Sequence, residues 1–333
     1  MSAPPAPLPP LLHPQQAASP TPSRGDGIPV EVEDALRAWG AQTIQDATML
    51  LDLPQVAAAT ACTLFQRFWF VSSMRDFSVI DFAPAALFLA SKLVEAPLRL
   101  RDLLNVFEYL IKRAEHYSEH CGERGIWFYK DPTTAIEPAS TTGHSTKNGS
   151  DEAGPPSYQH KVSGYFAQSF YDAKDALVVG EMQILKRLGF NTNVVPPHAT
   201  MVNYAQMLGI TQQNELMQRA WGTLNDMFQT SLPCLFPPHV LAAASIYQLT
   251  LTPSGSEAAE STSERQSLLS LPLDPAPWWE LLDVREWELR AVCAHLARLY
   301  RRIAPLIAWR DGGAVRLASR KGIRRWLDAR NQT

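Results

Sequence analysis

The sequence predicts an all-α protein made of two consecutive helical bundles with a disordered N-terminal arm. Apolar residues recur at helical spacing, for example Leu36, Trp39, Ile44 and Ala47. Runs of alternating β-branched residues, which would indicate strands, are nearly absent. Two small apolar segments of similar composition, at 85–90 and 240–247, suit the centres of two bundles, because alanine-rich faces let neighbouring helices approach closely.

The first half is predicted to contain five helices. Pro54 suits the first position of the second helix, where its missing N–H costs nothing. Asp81 is the expected N-cap of the third helix, which would place Pro84 in the first turn. Gly189 suits the end of the fifth helix. The predicted helices cover about 30–51, 54–71, 81–93, 100–115 and 170–188.

The second half is predicted to repeat this plan after the stiff segment Val195-Pro-Pro-His198. Its expected helices cover 199–208, 215–230, 238–249, 278–282 and 284–302. Two segments rich in turn-forming and small polar residues interrupt the bundles, and the first is expected to be mobile. The predicted organisation is a flexible Pro-rich arm at 1–28, a first bundle at 29–195 with an insertion at 131–160, a second bundle at 196–310 with a loop at 251–268, and a basic tail at 311–333.

The composition of the chain argues against nucleic-acid-binding, disulfide-stabilised, secreted and membrane proteins. The chain has 333 residues and a formal net charge of −3, so it offers no overall basic field for nucleic acid. Its four cysteines are scattered, which favours a reduced, intracellular protein over a disulfide framework. The N-terminus is broken by prolines and is not expected to be a signal peptide. No apolar run approaches the roughly 20 residues that span a bilayer, so no membrane partner is expected.

Motifs of catalysis are scarce. The sequence has no Gly-rich phosphate loop, nucleophile elbow or kinase motif set. The string His116-Tyr-Ser-Glu-His120 has the H-x-x-E-H form that can seat zinc and would allow a metal-dependent hydrolase. Without an obvious third ligand, a solvated helix end is the preferred interpretation. We therefore predict no catalytic residue, no metal and no cofactor.

Arginines are concentrated near the C-terminus. They could contact phosphates or an acidic partner, but a solvated tail is the preferred interpretation of such a charge run. The residues are Arg310, Arg316, Arg320, Arg324, Arg325 and Arg330.

Several segments together resemble the cyclin family. Leu89-Ala-Ser-Lys-Leu-Val-Glu-Ala-Pro97 resembles the core of the cyclin box, and Glu181-Met-Gln-Ile-Leu-Lys-Arg-Leu-Gly-Phe190 is similar to the last helix of that box. Further segments, in order from about 19 to 304, resemble the L-type cyclins. They are Ser19-Pro-Thr-Pro-Ser23, Asp26-Gly27, Leu51-Asp-Leu-Pro-Gln-Val56, Leu64-Phe-Gln-Arg-Phe68, Arg101-Asp-Leu-Leu-Asn-Val-Phe107, Pro197-His198, Ala220-Trp221, Asn225-Asp226 and Ala243-Ala-Ser-Ile-Tyr247.

This resemblance implies two tandem five-helix cyclin boxes without enzymatic activity. Cyclins form a heterodimer with a cyclin-dependent protein kinase and activate it, and L-type members act in RNA polymerase II transcription and pre-mRNA splicing in the nucleus. Transcription or splicing factors are further partners of this class, whereas direct nucleic-acid binding is not expected. Animal L-type cyclins carry an Arg-Ser repeat that this sequence lacks, so kinase binding is the firmer expectation and a splicing role the weaker one.

The resemblance also implies contact residues. Lys92 matches the lysine and Glu181 the glutamate of the cyclin box that face the C-helix region of the kinase. On local sequence alone, Lys92 would instead be solvated or paired with Glu95. Gln66 and Val94 depart from residues that many cyclins have. The apolar side chains expected to support the kinase contact are Phe88, Leu93, Leu98 and Ile184.

The sequence also allows alternatives to an L-type cyclin. A transcription-type cyclin of the C, K or T class is the nearest, and the Ser-Pro-Thr-Pro-Ser segment favours the L type. A cyclin-fold adaptor of the general transcription machinery would need a basic second bundle, yet residues 199–250 contain one arginine and no lysine.

Ser19 and Thr21 each precede a proline and are candidate sites of proline-directed phosphorylation, although chance Ser-Pro pairs in a flexible arm are the preferred interpretation.

Overall fold

A computed structural model describes residues 19–120, 158–160, 167–252, 269, 271, 276–303 and 313–331. Over these ranges the chain is helical and contains no strand, which confirms the all-α prediction. None of the helices in these ranges is both long and apolar enough to cross a membrane. The predicted insertion lies outside the described ranges except for residues 158–160, and the loop predicted at 251–268 lies outside them except for residues 251 and 252.

The first bundle has the five expected helices. They are α1 (Val30–Leu50), α2 (Gln55–Val71), α3 (Val79–Leu93), α4 (Leu100–His120) and α5 (Gln168–Arg187). Helix α3 packs against all four others and lies at the centre, as predicted. Its alanines at 83, 85, 86 and 90 are buried. Small side chains therefore let the surrounding helices approach this central helix closely.

Helix α3 begins earlier than the sequence predicts. Its N-cap is Ser78, so Asp81 is the third residue of the helix and Pro84 lies inside it, not in the first turn. The early start is stabilised from outside the bundle, because the backbone N–H groups of Val79 and Ile80 donate to the carbonyl of Ala318 at 2.9 and 3.4 Å. A distant segment thus satisfies donors that would otherwise lack partners at a helix N-terminus.

The second bundle comprises α6 (His198–Met207), α7 (Asn214–Met227), α8 (Pro238–Leu251) and α9 (Glu286–Arg298). Helix α8 is central and packs against α6, α7 and α9, as expected from its alanine-rich sequence. Helix α9 continues as a π-helical turn, Leu299–Ile303. The helix expected at 278–282 is only a 3-10 turn, Glu280–Leu282, which ends at Asp283 with a left-handed φ of 56°.

A polar joint connects the two bundles. Gln66 is fully buried, accepts from Arg37 at 2.8 Å and donates to the carbonyl of Gln229 at 3.2 Å. Nearby, Gln55 donates to the side chain of Asn225 at 2.8 Å. Because buried polar groups are costly when unpaired, this joint favours one arrangement of the two bundles.

The end of the predicted arm is packed against the first bundle. Ser23 is completely buried and Ile28 is 2% exposed, so residues 19–28 are not a flexible arm in this structure. Arg24 forms a 2.7 Å ion pair with Glu33 of α1, and Ser73 donates to Asp26 at 2.5 Å. These contacts order the segment, because they offset the conformational entropy that it loses on packing. Residues 1–18 lie outside the described ranges.

The C-terminal segment is also packed, contrary to the prediction of a solvated tail. A short helix, Gly313–Leu317, is followed by α10 (Arg320–Asn331), and the short helix packs against α1 and α4. Ala318, Ile323 and Leu327 are buried. The apolar residues of this segment lie on one face, so it buries them on the first bundle while its arginines remain exposed.

Candidate functional site

An ion pair between α3 and α5 marks the candidate site. The Nζ atom of Lys92 lies 2.6 Å from Oε1 of Glu181, and 46% of the lysine side chain and 15% of the glutamate side chain are exposed. Nζ also lies 4.0 Å from the centre of the Phe88 ring, one turn earlier on α3. The structure therefore brings together the two charged residues that the sequence singled out, and Lys92 pairs with Glu181, not with Glu95.

The end of α3 positions Lys92 at the surface. After Leu93 the chain reverses through a Schellman-type motif, in which the N–H of Ala96 donates to the carbonyl of Ser91 at 2.9 Å. Glu95 adopts a left-handed φ of 58° in this turn. Lys92 consequently lies in the last helical turn, where the partial negative charge of the helix terminus favours a cation. The same turn makes Val94 the C-cap residue of α3.

Close packing of α5 against α3 positions Glu181. A Cβ atom added to the neighbouring Gly180 would lie 2.8 Å from Cβ of Ala85, which is closer than real Cβ atoms approach. Glycine at 180 and alanine at 85 therefore permit the helix separation that the structure has. This separation places Glu181 within reach of Lys92.

Apolar side chains are exposed on α5 around the ion pair. Val178, Val179 and Met182 are 49%, 52% and 54% exposed, and Leu93 on the α3 side is 41% exposed. Val178 and Met182 are one helical turn apart, on the side of α5 that also carries Glu181. We call Val178, Met182 and Leu93, together with Lys92 and Glu181, the α3–α5 face; Val179 is exposed on the other side of α5. Exposed apolar groups around a partly buried charge pair are typical of protein interfaces.

The structure changes the predicted set of apolar contact residues. Ile184 is fully buried in the core, so it cannot contact a partner directly; it lies on the inner side of α5. Phe88 and Leu98 are partly exposed and pack against the core. The sequence did not single out Val178 and Met182. They could have been identified from the sequence of α5, which has more apolar residues than a single buried stripe needs.

Gln66, the other departure from the family pattern, lies away from this face. It is buried in the joint between the bundles, where it contacts Arg37 and the backbone of the second bundle. Gln66 therefore contributes to the connection of the two bundles.

The two candidate phosphorylation sites have different surroundings. Ser19 is exposed, whereas Thr21 is 5% exposed and its hydroxyl donates to Glu33 at 2.8 Å. A kinase could reach Thr21 only after the packed segment opens. Modification of Ser19 requires no such opening.

No group of three His, Cys, Asp or Glu side chains within the described residues could hold a metal ion. The ring of His116 lies 5.4 Å from that of Tyr158. The side chain of His120, the second member of the H-x-x-E-H string, lies outside the described residues.

The chain is similar in sequence to curated L-type cyclins. No protein-family model matches the chain. The chain is 32% identical to Cyclin-L1 of Homo sapiens over 295 residues, which cover 88% of this chain and 45% of the relative. It is 31% identical to Cyclin-L2 of Mus musculus over 283 residues, 85% of this chain and 43% of the relative. The chain thus spans less than half the length of these curated relatives.

A solved structure supports the fold. A chain of the crystal structure of the yeast RNA Pol II CTD kinase CTDK-1 complex matches with a TM-score of 0.55, covering 88% of this chain and 73% of the other. The two sequences are 14% identical, so this likeness concerns the arrangement of helices alone.

Proposed function

The chain belongs to the cyclin family, with L-type cyclins among its curated relatives, and from this premise we propose that it is a non-catalytic subunit that binds and activates a cyclin-dependent protein kinase. The resemblance to L-type cyclins further supports a nuclear role in RNA polymerase II transcription and pre-mRNA processing. Transcription or splicing factors would then be additional partners.

The observation that carries the kinase proposal is the α3–α5 face. Lys92 uses one of its three N–H donors on Glu181 and has 46% of its side chain exposed, so donors remain for carbonyl groups of a partner. Glu181 retains a second carboxylate oxygen that can accept from backbone N–H groups. The exposed side chains of Leu93, Val178 and Met182 supply apolar area beside these polar groups. Such a surface suits the exposed end of a helix on a partner protein.

Activation follows from a shift in the conformational equilibrium of the kinase. A protein kinase is active when a glutamate of its C-helix pairs with the lysine that contacts the ATP phosphates. A partner that binds this arrangement more tightly than the alternatives increases its population. The packing of α3 against four other helices makes the α3–α5 face a firm surface for that purpose. The cyclin thus contributes binding energy, and the chemistry stays in the kinase.

Substitution of Met182 tests the proposal. Met182→Glu places an unpaired carboxylate in the proposed interface and is expected to reduce co-purification of the kinase, identified by mass spectrometry, at least about tenfold. Met207→Glu is the matched control, because Met207 is a 62% exposed methionine on α6 of the second bundle. Equal kinase recovery with the wild type and both variants would refute the assignment of this face.

A further inference from the structure

Helix α10 and the short helix before it present a basic surface. Residues 313–331 contain six basic side chains and one acidic side chain, in a chain whose net charge is −3. All six basic residues are exposed. We call them the C-terminal basic face: Arg316, Arg320, Lys321, Arg324, Arg325 and Arg330.

The packing of α10 fixes the position of this surface. Ile323 is 1% exposed and Leu327 is 8% exposed, so the opposite side of the helix is buried. A Cβ atom added to Gly322 would lie 1.9 Å from the carbonyl oxygen of Arg316, so only glycine allows α10 to approach the short helix so closely. The carbonyl of Ala318 caps α3 of the first bundle. The basic side chains are therefore displayed from a fixed helix, which lowers the entropic cost of binding to them.

The charges on the face are not all neutralised by the first bundle. Arg324 donates to the carbonyl of Arg75 at 2.9 Å and lies 3.5 Å from Asp76. Lys321 and Arg325, by contrast, form no ion pair with any described residue. They are one helical turn apart and therefore point in similar directions. The one acid of the segment, Asp328, follows in the next turn. An excess of positive charge thus remains available to a ligand.

We propose that the C-terminal basic face binds a polypeptide that carries several phosphates. Arginine binds phosphate through paired N–H donors, and each phosphate offers several strong acceptor oxygens. Residues four apart on a helix are separated by about 6 Å along its axis. Phosphorylated residues two apart on an extended peptide lie on the same side and are separated by roughly 6.6 Å. The spacing of Lys321 and Arg325 therefore matches that of alternate phosphates.

A single-stranded RNA is the main competing ligand, and the composition of the face argues against it. Proteins that bind single-stranded RNA stack its bases mainly on exposed aromatic rings, with additional stacking on Arg guanidinium planes. Trp326 is the only aromatic residue within 313–331, and its ring packs against the core with the guanidinium of Arg330 at 5.5 Å from its centre. Within residues 313–331 the face thus offers charge but no fully exposed aromatic ring on which bases could stack. A phosphopeptide, which needs no stacking, fits it better. This surface would act independently of kinase binding.

Fluorescence anisotropy with the full chain tests the proposal. The probe is a labelled peptide with phosphoserine at alternate positions, compared with its unphosphorylated form and with single-stranded RNA of equal charge. We expect saturable binding of the phosphopeptide alone. The double variant Lys321→Glu/Arg325→Glu should weaken it about tenfold or more. A charge-matched control, Arg219→Glu/Arg290→Glu, alters exposed arginines on α7 and α9 and should change affinity less than about twofold.

Three results of this experiment would contradict phosphopeptide binding by the C-terminal basic face. Absence of phosphopeptide binding, tighter binding of RNA, or equal losses in the test and control variants would each overturn the proposal. Circular dichroism and thermal melting establish whether each variant is folded. If the test variant unfolds, Lys321→Gln/Arg325→Gln replaces it, with the same expected direction. Kinase co-purification is measured in parallel, and its retention in the test variant separates this surface from the α3–α5 face.

Discussion

Replacement of Ile323 by alanine measures how firmly the C-terminal segment is docked. Ile323 is 1% exposed. The substitution removes three carbon atoms, and burial of each contributes about 0.8 kcal/mol, or roughly 2.4 kcal/mol in total. The cavity left behind brings the expected loss in the free energy of unfolding to about 3 to 4 kcal/mol. A solvated tail, in contrast, would make the substitution nearly neutral.

Urea denaturation followed by circular dichroism is the assay. With an m-value of about 3 kcal/mol/M, the expected loss lowers the urea midpoint by about 1 M. The exposed neighbour Lys321 provides the control, because Lys321→Ala should change stability by less than about 0.5 kcal/mol. Hydrogen exchange gives a local readout, since the amides of Val79 and Ile80 should lose protection with the Ala318 contact. An unchanged midpoint and unchanged protection in Ile323→Ala would refute the packing argument.

Two further predictions concern the first bundle. Gly180→Ala should lower the free energy of unfolding by about 1 to 3 kcal/mol, because the new Cβ would lie 2.8 Å from that of Ala85. The double variant Gly180→Ala/Ala85→Gly removes this clash and should recover part of the lost thermal midpoint. A double variant that melts no higher than Gly180→Ala would contradict the contact. Burial raises the pKa of Asp46 to about 6, so the folded protein binds its proton more tightly than the unfolded chain, and this carboxyl lowers stability as pH rises from about 4 to 6. A shift of about two pKa units corresponds to at most about 3 kcal/mol, so Asp46→Asn should stabilise the protein by about 1 to 3 kcal/mol at pH 7 and have little effect below pH 4. Thermal melts across this pH range measure the difference, and an equal effect at both pH values would exclude this cause.

The helical arrangement was predictable because its signals are local. Apolar spacing located the five helices of the first bundle, and the alanines of α3 and α8 indicated the two central helices. The start of α3 was not predictable in this way. It depends on the carbonyl of Ala318, which lies more than two hundred residues away in the chain.

The packing of the C-terminal segment was missed because charge dominated its interpretation. Ile323, Trp326 and Leu327 have the three- and four-residue spacing of a buried helical stripe. Six nearby basic residues made a solvated tail the simpler interpretation. Apolar spacing was the better guide, because a charged helix can bury one face and expose the other.

The family resemblance, and not the spacing of residues in the sequence, identified Lys92 and Glu181 as site residues. Lys92 and Glu181 lie 89 residues apart, so no local pattern connects them. Periodicity also failed to separate the inner and outer sides of α5, since Ile184 faces the core while Met182 is exposed. The tertiary packing of α5 on α3 supplies that information.

Kinase binding by a charge-swap series tests the central claim most directly. The series comprises the wild type, Lys92→Glu, Glu181→Lys and the double variant Lys92→Glu/Glu181→Lys, each measured for recovery of the kinase and for thermal stability. If the pair contacts a kinase, both single variants lose binding while their circular dichroism spectra stay helical. The double variant can re-form the pair within the chain, but it presents the charges in exchanged positions and should still fail to bind. Restored kinase binding in the double variant would contradict the account, because it would show that the pair serves only to hold α3 against α5.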